Sequence, residues 1–461
     1  MKLIPVGLVK KGLLLLAFVQ LVFVWYINKS TFDTGDSIMH YLFAHYAFEH
    51  PENFLDHWAK PLFTLLSSPF AYFGWEGMRI FNLLVTLFTA IVTILICRKL
   101  EINVLLTTVI FLSAPYTLLI TSSGLTEPLF ALFLVIAFYL QIIKQPNLAA
   151  FVVSLLPFLR SEGQIILICW LVYAVYFKEF KSVFFLFSGF IIYAILGYFF
   201  VYHDFLWYSH QNPYNVDKFK YGQGNWGHFL MNLIEVIGVY AYVIMFPAII
   251  GIIYFAFKNI TTLLTDKNRE IILLFSCLGS FVLFHEYAWA TGSFGSFGLL
   301  RVLVCVLPIL CIAISFGIKN IPLKFRDESR DRLLKFVSCL LIITPWANTK
   351  YSIHKEKHLQ NAPADIALFN SCVKFKSNYT YKLYYEAPLI AYAYDADPFN
   401  KSKNIGLYWY NAANTGDLIV WDNGFGKNQA MVNLGDLQKD TFQFKCIYLD
   451  LDKRFAFFKK L

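Results

Sequence analysis

The sequence predicts an all-α, polytopic membrane protein with a small α/β domain at its C-terminal end. Of its 461 residues, 58% are hydrophobic and only 15% are charged, whereas soluble domains are roughly 45–50% apolar and about 25% charged. A water-soluble globule could not bury that much apolar surface. The tail 348–461 nevertheless holds 26 of the 69 charged residues, which indicates an aqueous domain. Soluble enzymes, secreted modules and disordered chains are excluded, and no nucleic-acid partner is expected.

About eleven segments are apolar enough to be membrane spans, for which about 20 residues are needed. They lie at 12–27, 78–97, 103–121, 126–143, 148–160, 164–177, 182–202, 229–257, 270–288, 300–318 and 333–347. We therefore predict a membrane module over 1–347 and an extracytoplasmic domain over 348–461. In that domain, short strand-like runs such as 416–421 alternate with turns rich in Asp, Asn and Gly.

The Lys and Arg residues of the loops predict the orientation. With the N-terminus in the cytoplasm, the inner loops collect 17 of them, and the outer segments before residue 350 keep only 7. This asymmetry follows the positive-inside rule. It places loop 28–77, loop 203–228 and the C-terminal domain on the outer side of the membrane.

The first outer loop, 28–77, is too long to be a simple connection. Its segment 36–48 has apolar residues at helical spacing, and 61–73 is a second apolar stretch. Both are typical of helices that lie in the membrane interface. These helices would hold six polar residues at the boundary between water and lipid, where a lipid-borne and a water-exposed substrate can meet: Asp33, Asp36, His40, Asp56, His57 and Lys60.

The acidic pair of this loop has two interpretations. Asp36 could simply cap a helix that follows a turn at Gly35. Alternatively, one carboxylate could be a general base, or Asp33 and Asp36 could bind a divalent cation (Mg²⁺ or Mn²⁺) beside a phosphate-bearing donor. For Lys60, the alternatives are snorkelling to the interface and neutralisation of a phosphate.

The order of these motifs resembles that of a known family. A first span, then Asp36 at the start of an interfacial helix, then Lys-Pro-Leu at 60–62 is similar to the GT-C membrane glycosyltransferases. The nearest branch contains the protein O-mannosyltransferases and the lipid A aminoarabinose transferase (glycosyltransferase family 39-like). Its second motif usually reads Glu-Lys-Pro-Pro-Leu, whereas this chain has Trp-Ala-Lys-Pro-Leu at 58–62, with Asp56 as the nearest acidic substitute. The acidic pair of the first motif is also changed, because Ser37 follows Asp36.

Three later segments extend the resemblance over about 1–320. Glu127 stands in Ser-Ser-Gly-Leu-Thr-Glu-Pro-Leu, Arg160 and Glu162 stand in Pro-Phe-Leu-Arg-Ser-Glu-Gly, and Arg301 stands at the outer end of a late span. Each also has a purely structural interpretation. Glu127 could cap a span with Pro128 at the first helical position, Arg160 and Glu162 could pair with each other, and Arg301 could be an interface anchor.

The resemblance implies an inverting glycosyltransferase that moves a sugar from a polyprenyl-phosphate donor to a glycan, lipid or protein acceptor. It implies that Asp36 and Asp33 are catalytic. The residues that would bind substrates are His40, Asp56, His57, Lys60, Glu127, Arg160, Glu162 and Arg301. The composition favours a multi-pass protein of a bacterial inner membrane with a periplasmic active site.

Two alternatives remain open. A lipid-linked glycan polymerase or ligase would place its chemistry in the second outer loop, 203–228. A transporter or flippase for a lipid-linked solute would need ionisable residues near the middle of its spans and repeat symmetry. The sequence has no visible repeat, and its polar residues gather at the outer surface.

Overall fold

The computed structural model describes residues 6–214, 221–266, 268–322, 327–346, 359–376 and 382–461. Some basic residues of the charge count above lie outside these ranges, namely those at positions 2, 218, 220, 267, 324 and 326.

The membrane module is helical. Its α-helices are α1 (Val6–Ile27), α2 (Asp36–His45), α3 (Pro61–Ala71), α4 (Trp75–Lys99), α5 (Val104–Ser113), α6 (Pro115–Ile120), α7 (Glu127–Ile142), α8 (Pro146–Leu155), α9 (Gly163–Tyr176), α10 (Phe180–Phe185), α11 (Ser188–Gly197), α12 (Trp207–His210), α13 (His228–Met231), α14 (Leu233–Ile237), α15 (Val239–Lys258), α16 (Arg269–Thr291), α17 (Leu307–Lys319) and α18 (Asp327–Ile343). Short 3₁₀-helices occur at Pro51–Leu55, Leu156–Phe158, Leu300–Val306 and Thr344–Trp346, and a π-helical turn at Tyr198–Tyr202.

Each of the eleven predicted spans is mostly helical over its described residues, with breaks in several of them. Within the described residues, six helices are long and apolar enough to cross a membrane: Leu8–Ile27, Trp75–Lys99, Phe180–Tyr202, Val239–Lys258, Arg269–Thr291 and Leu300–Lys319. Other predicted spans are made of shorter helices. The span 103–121, for example, breaks at Ala114 because the residue before Pro115 is driven out of the helical conformation.

Charged residues form ion pairs at both ends of the module. Residues predicted to be cytoplasmic pair with one another, as Lys10 does with Asp331 (2.5 Å) and Arg269 with Glu179 (3.1 Å). Those predicted to be external gather at the opposite ends of the same helices. The first outer loop forms α2 and α3 where helices were predicted, and Ile38 and Leu42 are buried.

The C-terminal domain is an α/β domain, as predicted. Its strands are β1 (Leu383–Tyr385), β2 (Asn404–Gly406), β3 (Leu418–Asp422), β4 (Phe444–Leu449) and β5 (Phe455–Lys460), in the order β2-β1-β3-β5-β4. β1 pairs in parallel with β2 and β3, and β5 is antiparallel to β3 and β4. The helices of the domain are α19 (Pro363–Phe375), α20 (Pro388–Tyr394), α21 (Phe425–Asn428) and α22 (Leu434–Lys439), and a 3₁₀-helix spans Leu407–Ala412.

The C-terminal domain docks on the first outer loop. Tyr392 of α20 packs edge-on against Tyr41 of α2 (ring centroids 5.8 Å apart) and lies 5.9 Å from the ring of Trp75. His50 Nε2 lies 2.8 Å from Asp397 Oδ2. Buried residues of both parts belong to one continuous hydrophobic core. The domain therefore lies at the same end of the membrane module as the first outer loop.

The contact between His50 and Asp397 predicts that docking depends on pH. Burial lowers the pKa of His50, but the hydrogen bond and charge of Asp397 outweigh burial and raise it above the usual value of 6.5. A raised pKa means that the added stability is fully present below pH 6.5 and is lost as pH rises through the folded-state pKa. We expect about 1 kcal/mol or less for this partly exposed pair. Limited proteolysis at the contact between the C-terminal domain and the first outer loop, across pH 5.5–8.5, measures this change in stability.

The control for this prediction is a second His–Asp pair that does not contact the C-terminal domain. His210 Nδ1 lies 2.6 Å from Asp204 Oδ2 in the second outer loop. His50→Ala should remove the pH dependence of proteolysis, and His210→Ala should leave it as in the wild type. An unchanged pH dependence in His50→Ala would assign it to another group.

Candidate active site

The segment 33–36 forms the turn that begins α2. Asp33 Oδ1 accepts hydrogen bonds from the backbone N–H groups of Gly35 (3.0 Å) and Ser37 (2.9 Å). Asp33 therefore satisfies the start of the helix, and the interpretation that Asp36 is the cap is wrong. The carboxylate of Asp36, the first residue of α2, instead pairs with Arg301.

Arg301 holds three carboxylates together. It lies in the 3₁₀-helix Leu300–Val306 and its side chain is 8% exposed. Its guanidinium forms ion pairs with Asp33 and with Asp36, and its Nε lies 3.3 Å from Glu127 Oε1. Arginine suits this role because its donors are spread in a planar fork. Its predicted place at the outer end of a late span agrees with the structure.

A second arginine extends the network. Arg160 lies 2.9 Å from Glu127 Oε1 and 2.8 Å from Glu162 Oε1, so its predicted pairing with Glu162 is present and Glu127 joins it. Glu127 is fully buried between the two arginines, which is more than a capping role requires. We call the set Asp33, Asp36, Glu127, Arg160, Glu162 and Arg301 the charged network.

A close contact between two loops brings the parts of this network together. The N–H of Gly124 donates to Ser37 Oγ (2.8 Å). A Cβ at position 124 would collide with the carbonyl oxygen of Ser37, so only glycine allows this approach. The contact sets the start of α2 beside the start of α7. Asp36 and Glu127 can therefore reach the same guanidinium.

Lys60 is a buried cation outside these ion pairs. Its side chain lies at the start of α3, with Nζ 3.3 Å from Ser161 Oγ and 4.5 Å from the ring centroid of Tyr214. Among the described residues, no carboxylate lies within 4 Å of Nζ. Burial lowers the pKa of Lys60 to about 7, although the charge of Glu162 opposes this. Desolvation without a counter-ion is costly, so this position favours an anion.

The backbone of Lys60 is also unusual. Its φ of 67° lies in a region that side chains other than glycine avoid. Such conformations cost about 1–3 kcal/mol and cluster at functional sites. Pro61 follows and begins α3, so the conformation at residue 60 directs the chain into that helix.

The remaining residues predicted in this loop have other environments. Asp56 Oδ1 accepts from the N–H of Ala59 (2.8 Å), a turn contact. His57 stacks on Tyr208 with ring centroids 4.0 Å apart, and His40 stacks on Trp58 at 4.8 Å. Burial lowers the pKa of both histidines to about 3, so both are neutral. They form walls of the site, and their contact with a substrate stays a prediction.

The pKa values of Asp33 and Asp36 are shifted in opposite directions. Burial raises the pKa of Asp33 above its usual value despite the nearby Arg301. For Asp36, desolvation also acts to raise the pKa, but the charge of Arg301 and its hydrogen bond outweigh that effect and lower it. Asp36 is therefore ionised at neutral pH. It is a weak base for as long as Arg301 holds it.

The two aspartates do not form a metal-ligand set in this arrangement, since both face the guanidinium of Arg301. In the part of the chain that the structure describes, no three His, Cys, Asp or Glu residues are grouped so that they could hold a metal ion. The divalent cation at Asp33 and Asp36 stays a prediction, and no catalytic step below depends on it.

Sequence reasoning missed several contacts of the site. Tyr208 and Tyr214 belong to the aromatic-rich second outer loop, which resembles an interfacial belt in sequence. His285 Nε2, near the C-terminal end of α16, lies 4.0 Å from Glu162 Oε1. The hydroxyl of Ser161 contacts Lys60, although the motif points only to its neighbours Arg160 and Glu162. The only available signal was the run of Tyr, His and Asn between 202 and 214.

The fold is similar to that of solved membrane-protein structures, although no family model and no curated protein matches the sequence. ArnT from Cupriavidus metallidurans bound to undecaprenyl phosphate superimposes with a TM-score of 0.58 at 11% identity. The apo state of the same protein gives 0.60 at 10%. Each alignment covers 98% of both chains. The likeness shows a shared fold, and it confirms the predicted helical membrane module with a small C-terminal domain.

Removal of the shared guanidinium should destabilise the fold. In Arg301→Met, Asp33 and Asp36 would lose their counter-ion while Glu127 would keep Arg160, and breaking such a buried network costs about 3–5 kcal/mol. We expect a lower midpoint of thermal unfolding in detergent. A second substitution, Asp33→Asn, should restore part of it because it removes one of the like charges.

Arg79 provides the matched control. It is equally buried, but its partner Glu76 (2.6 Å) is a mostly exposed carboxylate. Glu76→Gln should therefore not rescue Arg79→Met. If Asp33→Asn also failed to rescue Arg301→Met, charge repulsion would not be the cause of the instability.

Proposed function

We propose that this protein is an inverting glycosyltransferase of the outer membrane face that uses a polyprenyl-phosphate-linked sugar as its donor. The observation that carries the proposal is the buried ammonium of Lys60, which lies beside a network whose carboxylates already occupy both arginines. The multi-pass fold and the predicted orientation support a site at the periplasmic face of a bacterial inner membrane. The acceptor is a glycan, lipid or protein hydroxyl.

The phosphate of the donor would bind between Lys60 and Arg301. Lys60 supplies a compact positive charge and Arg301 a planar set of donors, the two usual ways of binding phosphate. The charges of Asp36, Lys60, Arg160 and Arg301 all act on the pKa of His40, so each lies within electrostatic range of that buried ring. A phosphate bound at Lys60 would supply the counter-ion that this side chain lacks.

An apolar groove beside Lys60 fits the lipid part of such a donor. It has a volume of about 290 Å³ and is lined by aromatic and aliphatic side chains, among them Phe158, Phe190, Tyr193 and Leu206. Tyr208 is shared between the groove and the site, because its ring also stacks on His57. One ligand could thus place an apolar chain in the groove and an anion at Lys60. Undecaprenyl phosphate, which ArnT binds in its solved structure, has this combination.

The transfer step would be a single displacement. Asp36 takes the proton of the acceptor hydroxyl, the acceptor oxygen bonds to the anomeric carbon, and the bond from that carbon to the phosphate oxygen breaks on the opposite face, with inversion. Lys60 and Arg301 stabilise the charge that develops on the leaving phosphate. Asp33, held by the N–H groups of Gly35 and Ser37, would orient the acceptor.

Arg301 would couple donor binding to the basicity of Asp36. In the empty site its guanidinium pairs with Asp36 and keeps the carboxylate a weak base. A bound phosphate would compete for the same guanidinium and loosen that pair. Asp36 would then become a stronger base when the donor is present, which limits reaction in the empty site.

A lipid-linked glycan polymerase or ligase is the second candidate. The observation that favours it is the position of Tyr214, from the second outer loop, over Lys60. That loop therefore contributes to the same site and could contact a growing glycan. In the transporter interpretation, by contrast, the ion pairs would lie near mid-span. The charged network instead lies at the outer ends of α7 and α9 and at the start of α2.

The proposal predicts that Asp36→Asn abolishes transfer. Loss of a general base usually costs about 10²–10⁴-fold in rate. The measurement is sugar transfer or donor hydrolysis in liposomes with a panel of polyprenyl-phosphate sugars. Asp204→Asn changes an aspartate of the second outer loop that lies 2.6 Å from the exposed His210, and this variant should keep full activity. Equal activity of wild type and Asp36→Asn would exclude Asp36 as the base and favour the second outer loop.

Binding of polyprenyl phosphate should take up a proton at Lys60. With a pKa of about 7, Lys60 is largely neutral at pH 8 in the empty site, and a bound phosphate would raise its pKa and protonate it. At pH 6 the residue is already charged, so uptake should disappear. Titration calorimetry in buffers of different ionisation enthalpy measures the number of protons.

Lys60→Arg is the control, because arginine keeps the charge but stays protonated at every working pH. Protonation changes of the phosphate itself occur in both proteins and cancel in the comparison. The wild type should take up more protons than Lys60→Arg at pH 8, and Lys60→Met should bind weakly. Equal proton uptake in wild type and Lys60→Arg would contradict phosphate binding by Lys60.

A further inference from the structure

The C-terminal domain contacts the turn that carries the two aspartates. A Cβ built on Gly35 would lie 3.0 Å from Cζ and 3.6 Å from Cε1 of Phe425, so the phenyl ring rests directly on this glycine. Gly35 stands between Asp33 and Asp36. We propose that Phe425, at the start of α21, is a positioning residue that holds the 33–36 turn in register with Arg301. The proposal rests on the function proposed for Asp36.

The loop that presents Phe425 is itself held firmly. Asp422, the last residue of the central strand β3, is buried. Its Oδ1 accepts from the N–H groups of Gly424 (2.9 Å) and Phe425 (2.6 Å), and its Oδ2 accepts from that of Gly426 (3.1 Å). Three charge-assisted hydrogen bonds to one carboxylate make a rigid support. The position of the Phe425 ring is therefore fixed by the buried end of β3.

The domain holds the chain before the turn at a second point. Asn361 Oδ1 accepts from the N–H of Thr31 (2.9 Å) and from Ser30 Oγ (3.2 Å). The N–H of Lys29 donates to the carbonyl of Leu359 (2.9 Å). The segment 29–35 is therefore fixed to the C-terminal domain at both of its ends. On the membrane side, Ser37 is fixed to Gly124.

This arrangement matters because Asp33 and Asp36 share one guanidinium. Both pairs form only if the turn keeps its place relative to Arg301, which belongs to a different part of the membrane module. A displacement of about 1 Å from a distant substitution can cost about 10²-fold in rate. Phe425 is apolar and its ring contacts Gly35, so its effect would pass through the backbone of that glycine.

The experiment compares Phe425→Ala with Phe425→Leu and with Trp409→Ala. Trp409 is an exposed aromatic residue of the same domain, which makes it the matched control for loss of a ring. Donor-dependent kinetics give kcat and KM, and hydrogen exchange in nanodiscs reports the amides of 33–38. Asn361→Ala tests the second contact independently.

For Phe425→Ala we expect a kcat reduced about 10–100-fold with KM for the donor within about threefold, since Lys60 and the apolar groove are untouched. Exchange of the Gly35 and Ser37 amides should rise, because both donate to Asp33. Phe425→Leu should restore most of the activity, and Trp409→Ala should match the wild type in both measurements.

Three outcomes would overturn the proposal: unchanged kcat in Phe425→Ala, unchanged exchange at 33–38, or an equal rise in KM. Phe425→Leu decides the matter if the alanine variant does not fold, since a leucine that fills the contact should be active. A wild type without any transfer activity would reject the proposed function instead. In that case, the exchange rates still show whether Phe425 holds the turn.

Discussion

One guanidinium, that of Arg301, sets the geometry on which the candidate site depends. It joins three carboxylates from two places in the chain: Asp33 and Asp36 in the first outer loop, and Glu127 at the start of α7. Arginine can do this because its donors are fixed in a plane and it remains charged when buried. Each carboxylate in turn needs that charge, since burial without it would be costly. The helices can therefore pack in few other ways at their outer ends.

Lys60, by contrast, is buried without a carboxylate partner among the described residues. Its ammonium is buried and contacts a hydroxyl and an aromatic ring, while the described carboxylates are engaged by the arginines. Lys60 is thus the position in the site where a counter-ion is missing. An anionic ligand would supply that counter-ion, and it would also compete with Asp36 for Arg301. Binding of the donor phosphate would then also make Asp36 a stronger base, because the phosphate replaces Asp36 as a partner of Arg301.

The C-terminal domain is part of the site's construction. Its core is continuous with that of the outer loop, through Tyr392 on Tyr41 and Trp75. Phe425 and Asn361 contact the segment that leads to Asp36. Four elements far apart in sequence therefore meet at one turn: the first outer loop, the start of α7, the late span with Arg301, and the sheet domain.

The sequence by itself determined the membrane environment and the helices, because hydropathy is a property of local composition. The sidedness that the distribution of Lys and Arg indicates stays a prediction. It also predicted α2, α3, β3 and the residues of the charged network, since each stands in a short motif. The tertiary structure alone decided which carboxylate meets which arginine. The start of α2 shows why. In sequence, Asp33 and Asp36 are equally suited to accept a hydrogen bond from the first turn of the helix, but the path of the backbone brings the N–H of Ser37 to Asp33. Tyr214 over Lys60 and Phe425 on Gly35 could not be predicted either, because contacts across 154 and 390 residues depend on how the helices and the sheet pack.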